Sequence, residues 1–123
     1  MKNGFLVAMF ALVSVPAMAQ LNVSPWNVDF GRVEIGRYAP SRTIWVRNYG
    51  SEPTSVEVRD SLCYSEFRVR DNCYWELAPN ESCSIDVSFD PNREGYSSCS
   101  IDVIDGDYNR ETVRVSGQAY KRN

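Results

Sequence analysis

No histidine occurs anywhere in the 123-residue chain. Its absence removes the Ser-His-Asp and Cys-His nucleophile pairs and the commonest ligand for a transition metal. Lysine is nearly as scarce. Lys121, in the C-terminal tail, is the one lysine outside the first few residues, which leaves no candidate for a buried catalytic amine. No Cys-x-x-Cys occurs, so a thioredoxin-like redox motif is excluded. No window carries apolar residues at helical spacing over three turns. Long blocks of one charge sign are missing too, which argues against a nucleic-acid or anionic-membrane surface. The longest apolar run, Phe5–Val13, falls short of the roughly 20 residues that span a bilayer.

That run has a different meaning. One positive charge, at Lys2, precedes it. Ser14, Val15 and Pro16 end it, and Ala17-Met18-Ala19 places small residues where a signal peptidase reads. Residues 1–19 are therefore expected to be a secretory signal peptide cleaved before Gln20, with residues 20–123 as one domain and no membrane insertion afterwards. Removing Lys2 leaves twelve basic against sixteen acidic residues, a net charge of −4. The expected location is the periplasm or the cell exterior.

The four cysteines, Cys63, Cys73, Cys83 and Cys99, all follow residue 20. An even number in a small exported domain implies disulfides. Their spacings of 10, 10 and 16 lack the close ligand pairs of a zinc site. Three connectivities are open at this point.

Period-two alternation dominates the rest. Ile44 and Val46 share a face in 41–48, and Val56 and Val58 in 54–60. Phe67 and Val69 alternate with Arg68 and Arg70. Cys83, Ile85, Val87 and Phe89 share a face, as do Cys99, Ile101 and Val103, and then Val113 and Val115. Such stretches read as half-buried strands. Turn chemistry separates them at 48–53, 78–81, 90–95 and 105–107. Short strands at regular spacing read as an all-β sandwich. The 90–95 turn is expected to make a hairpin of the two strongest strands.

Carboxylates such as Glu57, Asp86 and Asp102 alternate with the core face, and acid–base work would need one in an apolar pocket. Asp105-Gly106-Asp107-Tyr108-Asn109 has the start of a calcium-loop spacing. Its sixth and twelfth positions are Arg110 and Ser116, so a hairpin turn is expected, with no metal and no cofactor. Aromatics are the chemistry that remains. Trp45 has opposite parity to Ile44 and Val46 and is expected to face solvent beside Arg47. Tyr38, Tyr49 and Trp75 lie in or near loops. Exposed Trp, Tyr and Arg anchor protein interfaces and also stack on sugars. These four residues are the candidate partner-binding set, with another protein as the expected partner and a polysaccharide as the alternative.

The motif order resembles a known family. Pro25 through Val28-Asp29-Phe30-Gly31 to Gly36, then Val46-Arg47-Asn48-Tyr49-Gly50, Phe67-Arg68-Val69, Cys73 through Leu77-Ala78-Pro79 and Cys83 to Phe89-Asp90-Pro91, Gly95 and Val115-Ser116-Gly117 are together similar to the ASH (ASPM–SPD-2–Hydin) type of immunoglobulin-like domain, also labelled choice-of-anchor D. The resemblance spans essentially all of residues 20–123. It implies a seven-stranded antiparallel immunoglobulin-like β-sandwich with disulfides, related to major sperm protein and PapD-type chaperone domains. Asn80 stands where the family usually has Gly, a substitution asparagine tolerates by visiting positive φ. The resemblance also implies a Cys73–Cys83 bridge, which leaves Cys63 to Cys99 by elimination. A Cys83–Cys99 bridge is disfavoured if those strands form a hairpin, since Cys99 would then sit nearer Asp86. The functional expectation is a non-catalytic binding or structural module. A small secreted inhibitor, a carbohydrate-binding module or a chaperone-like module working through a sheet edge are the alternatives.

Overall fold

The structure is a computed structural model, and the residues it describes are 20–37, 39–61, 63 and 66–122. The expected signal peptide and Tyr38 lie outside the described residues. Eight strands follow in chain order: β1 Leu21–Ser24, β2 Asn27–Glu34, β3 Arg42–Asn48, β4 Val56–Ser61, β5 Phe67–Asp71, β6 Ser82–Phe89, β7 Gly95–Asp105 and β8 Arg110–Tyr120. They form two four-stranded sheets, ordered β1-β3-β6-β5 and β2-β8-β7-β4. No helix among the described residues is long and apolar enough to cross a membrane.

Alternation dictates which face is buried. Ile44, Val46, Cys83, Ile85, Val87 and Phe89 of the first sheet face Val28, Ile101, Val103, Val113 and Val115 of the second, and Leu77 joins them from a loop. Removing each large apolar side chain from water contributes about 1.5–3 kcal/mol. One end of the core is aromatic. Phe67 stacks on Phe89 with ring centroids 4.8 Å apart, and Phe30 lies 5.7 Å from Phe89. Gly117 makes room for this group. A Cβ there would lie 2.5 Å from Cε2 of Phe89, so only glycine lets β8 approach the ring.

Two expectations about the sheets need correction. Among the described residues the sandwich has eight strands, not seven, and it is not wholly antiparallel. Pro25 has no N–H to give a ladder, so the N-terminal stretch breaks there. β1 pairs antiparallel with β3, whereas β2 crosses to the other sheet and pairs parallel with β8. A bulge between Asp29 and Arg32 interrupts that pairing. Gly31 adopts φ +70° in it, and its N–H donates to Asp29 Oδ1 at 2.8 Å.

The third correction concerns β6 and β7. They are not a hairpin: β6 lies in the first sheet and β7 in the second. Pro91, buried after Asp90, ends pairing and turns the chain across the sandwich. The buried Glu66 holds this crossover. Its carbonyl accepts from Asp90 N–H at 2.8 Å, its Oε2 accepts from Asn92 N–H at 3.3 Å, and Arg93 Nε lies 3.6 Å from Oε1.

The disulfides join Cys63 to Cys99 and Cys73 to Cys83, with Cα separations of 5.1 and 5.3 Å. The hairpin register has no bearing on this pairing, because Cys83 and Cys99 belong to different sheets. Each bridge instead ties neighbouring strands of one sheet. Cys63 follows β4 and meets β7, its hydrogen-bonded neighbour, while Cys73 follows β5 and meets β6.

Candidate functional site

On β3 the outward positions are Thr43, Trp45 and Arg47, and Tyr49 follows at the strand's end. The inward positions Ile44, Val46 and Asn48 are fully buried. β3 is an inner strand, so its outward residues stand in the middle of a sheet face. Trp45 is 55% exposed, and its cross-strand neighbours are Ser24 on β1 and Ser84 on β6. Two serines flanking an indole leave the ring clear of tall neighbours. Arg47 places its guanidinium 5.0 Å from the Tyr49 ring centroid, a cation–π arrangement that presents both groups together. Thr43 Oγ1 donates to Asp86 Oδ1 at 2.9 Å, so that end of the stripe is polar and already paired.

Asn48 fixes the end of the stripe. It is completely buried and bonded on every side. Its Nδ2 donates to the Glu52 and Leu77 carbonyls at 2.8 and 3.0 Å, and its Oδ1 accepts from Gly50 N–H at 2.8 Å. Its N–H donates to the Glu81 carbonyl, and its own carbonyl accepts from Asn80 N–H. One side chain thus joins the loop bearing Tyr49 to the loop between β5 and β6. Asn80 in that second loop has φ +71°, a conformation its short polar side chain tolerates in place of glycine.

The β5–β6 loop carries the other aromatics. Trp75 is 46% exposed, and Tyr74, more exposed still, packs edge-on against it at 6.4 Å between centroids. The Cys73–Cys83 bridge closes the base of this loop. Reciprocal bonds from Asn72 N–H to the Ser84 carbonyl and from Ser84 N–H to Asn72 Oδ1 dock it on β6 beside Trp45's neighbour. Trp45 and Arg47 therefore lie on β3 with Tyr49 just past its end, and Trp75 lies on a loop tied to that end. Farther along the same sheet face is a shallow, open cleft of about 370 Å³ lined by Arg37, Arg68, Arg70 and Asp86. Sequence reasoning missed two exposed rings, Trp26 at the β1–β2 crossing and Tyr96 on β7. Trp26 sits at a sheet change that only the proline next to it could have signalled.

Nothing reactive accompanies these rings. No group of three or more Cys, Asp or Glu side chains among the described residues could hold a metal ion. Asp105, the first residue of the calcium-like spacing, is buried and spends its carboxylate on the β7–β8 turn. Oδ1 accepts from the N–H groups of Asp107 and Asn109 at 2.8 and 2.9 Å, and Oδ2 accepts from Asn109 Nδ2 at 3.0 Å and Gln20 N at 3.3 Å. Burial works to raise its pKa. The hydrogen bonds from the Asn109 side chain and from the Asn109, Asp107 and Gln20 backbones outweigh burial and hold the carboxyl below its ordinary range.

The two-sheet β-sandwich is an immunoglobulin-like fold. Residues 19–118 match the HYDIN/CFA65/VesB-like, Ig-like domain, and the chain belongs to that family. Among solved structures it is similar to the ASH/PapD-like domain 7 of human CEP192, with a TM-score of 0.75 at 13% identity over 91% of this chain and 93% of that one. It is also similar to the Vibrio cholerae VesB protease, with a TM-score of 0.66 at 20% identity, covering 80% of this chain and 32% of the protease. A third similar structure is the YadV chaperone, with a TM-score of 0.63 at 11% identity, covering 82% of this chain and 52% of the chaperone. The chain thus spans about a third of that protease and half of that chaperone. No curated protein matches it.

Proposed function

We propose that the chain is an exported, non-catalytic binding module that recognises another protein through the outer face of the β1-β3-β6-β5 sheet. In this reading residues 1–19 are removed after Ala19, and residues 20–123 form the working domain. The observation that carries it is the β3 stripe. Trp45 and Arg47 project from a rigid inner strand whose other face is core, and Tyr49 follows at its end with its N–H bonded to the Gln20 carbonyl, so they are pre-positioned, and ordering them costs little on binding. Two intramolecular disulfides support export, since such bridges persist in oxidising compartments.

Trp75 extends the proposed contact. Buried aromatic and arginine anchors supply most of the energy of a protein interface, commonly 2 kcal/mol or more each on truncation. The test is a comparison of the folded wild type with Trp45→Ala and Tyr49→Ala for capture of a partner from native extract. Loss of one defined protein band with both variants supports the reading. Retention on immobilised glycan, competed by free sugar, would reassign the same rings to a polysaccharide.

A further inference from the structure

Resting on cleavage after Ala19, we propose that signal removal completes the fold, by turning the Gln20 nitrogen into an ammonium that pairs with the buried Asp105 carboxylate. The geometry is already in place. Gln20 N lies 3.3 Å from Asp105 Oδ2, across 85 residues of sequence. The Gln20 carbonyl accepts from Tyr49 N–H at 2.7 Å, so the terminal residue is held on its other side. Its side chain lies against Gly50, close enough that a Cβ there would be 2.6 Å from Nε2. The residue is therefore fixed at backbone and side chain, with its nitrogen aimed at the carboxylate.

In the precursor this nitrogen is an amide, with one hydrogen and no charge. Hydrolysis of the Ala19–Gln20 bond adds water across it. The carboxylate stays on Ala19, and the new amine takes up a proton to become an ammonium with three donors. Asp105 already receives the three bonds of its own turn, so this pair ties the start of β1 to the β7–β8 turn. The other charged residues of the segments that meet here are Glu52, Asp107 and Arg110, and Arg110 is turned toward Asp102 at 3.4 Å. No other cation is drawn to Asp105 among the described ion pairs. The same clamp opposes cyclisation of Gln20. That reaction needs the unprotonated amine to attack the side-chain Cδ and expel ammonia, and the nitrogen is held as an ammonium while the side chain is packed away on Gly50.

The protein recovered from export decides the matter. Intact mass reports the first residue and whether ammonia has been lost. Reductive methylation with ¹³C-formaldehyde then labels two amines only, Gln20 Nα and Lys121 Nζ, and their titration is read by NMR. The proposal expects the Gln20 amine to titrate at least half a unit above the usual α-amino range of about 7.7–8.0, and to return to that range in Asp105→Asn. A variant carrying one extra alanine before Gln20 should melt several degrees lower than the mature protein. An amine in the ordinary range in both proteins, an unchanged melting temperature on extension, or a mass lower by one ammonia would overturn the pair. A mass placing the first residue elsewhere would overturn the cleavage reading and, with it, the pair.

Discussion

At the scale of single residues, buried polar side chains such as Asn48 and Asp105 hold the loops through several hydrogen bonds each. Asn48 is the clearest case. Alanine there removes three hydrogen bonds, to the Glu52 and Leu77 carbonyls and from the Gly50 N–H, while the Leu77 carbonyl keeps its bond from Thr54 N–H. Each lost bond contributes about 0.5–1.5 kcal/mol, so Asn48→Ala should lower stability by about 2–4 kcal/mol in denaturant unfolding. Gly117→Ala should cost about 1–3 kcal/mol, because the new methyl collides with the Phe89 ring in a close-packed core. Asp105 makes a prediction with a pH signature. Its folded pKa lies below the unfolded value of about 3.9, so its contribution is full above that value and is lost as pH falls through the folded one. Asp105→Asn should lower stability by about 1.5–3 kcal/mol at pH 7. Thermal melts should show the gap between variant and wild type closing below about pH 4.

At the scale of elements, alternation was legible and partnership was not. The parity of Ile44, Val46, Cys83 to Phe89 and Val113 placed the buried faces, because period two is a local property of one strand. Which strands pair depends on where the chain changes sheet, and that was decided by Pro25 and Pro91 together with the buried prop of Glu66. A reading of β6 and β7 as a hairpin follows naturally from a compact turn with Asp, Pro, Asn and Gly. It fails because the turn crosses the sandwich instead of folding back. The disulfide between Cys63 and Cys99 closes the longer loop, about 4 kcal/mol by chain entropy against about 3 for Cys73–Cys83. The Cys63→Ser, Cys99→Ser double variant should therefore lose more stability than the Cys73→Ser, Cys83→Ser variant. The second pair has another effect. It closes the loop bearing Tyr74 and Trp75, so its removal should raise amide exchange in residues 72–81 before it lowers global stability.

At the scale of the molecule, two sheets close over one core and leave one face with an ordered set of rings and a guanidinium. Trp45 was readable in the sequence because its parity opposes a strongly apolar strand. The tie between Tyr49 and the β5–β6 loop was not, since it runs through the side chain of Asn48, which looks from sequence like the start of a turn. The family and the fold describe an immunoglobulin-like module, and the proposal puts its partner contact on the stripe. Surface positions on a sheet tolerate truncation with little change in stability, usually within about 0.5 kcal/mol. Trp45→Ala and Tyr49→Ala should accordingly fold as the wild type does while losing binding. Capture of a defined partner by the exported protein, measured side by side for wild type, Trp45→Ala, Tyr49→Ala and a Tyr96→Ala control from β7 of the other sheet, tests this most directly. The account predicts a partner retained by the wild type and the control and weakened at least tenfold by each stripe variant. Equal capture by all four proteins would contradict it.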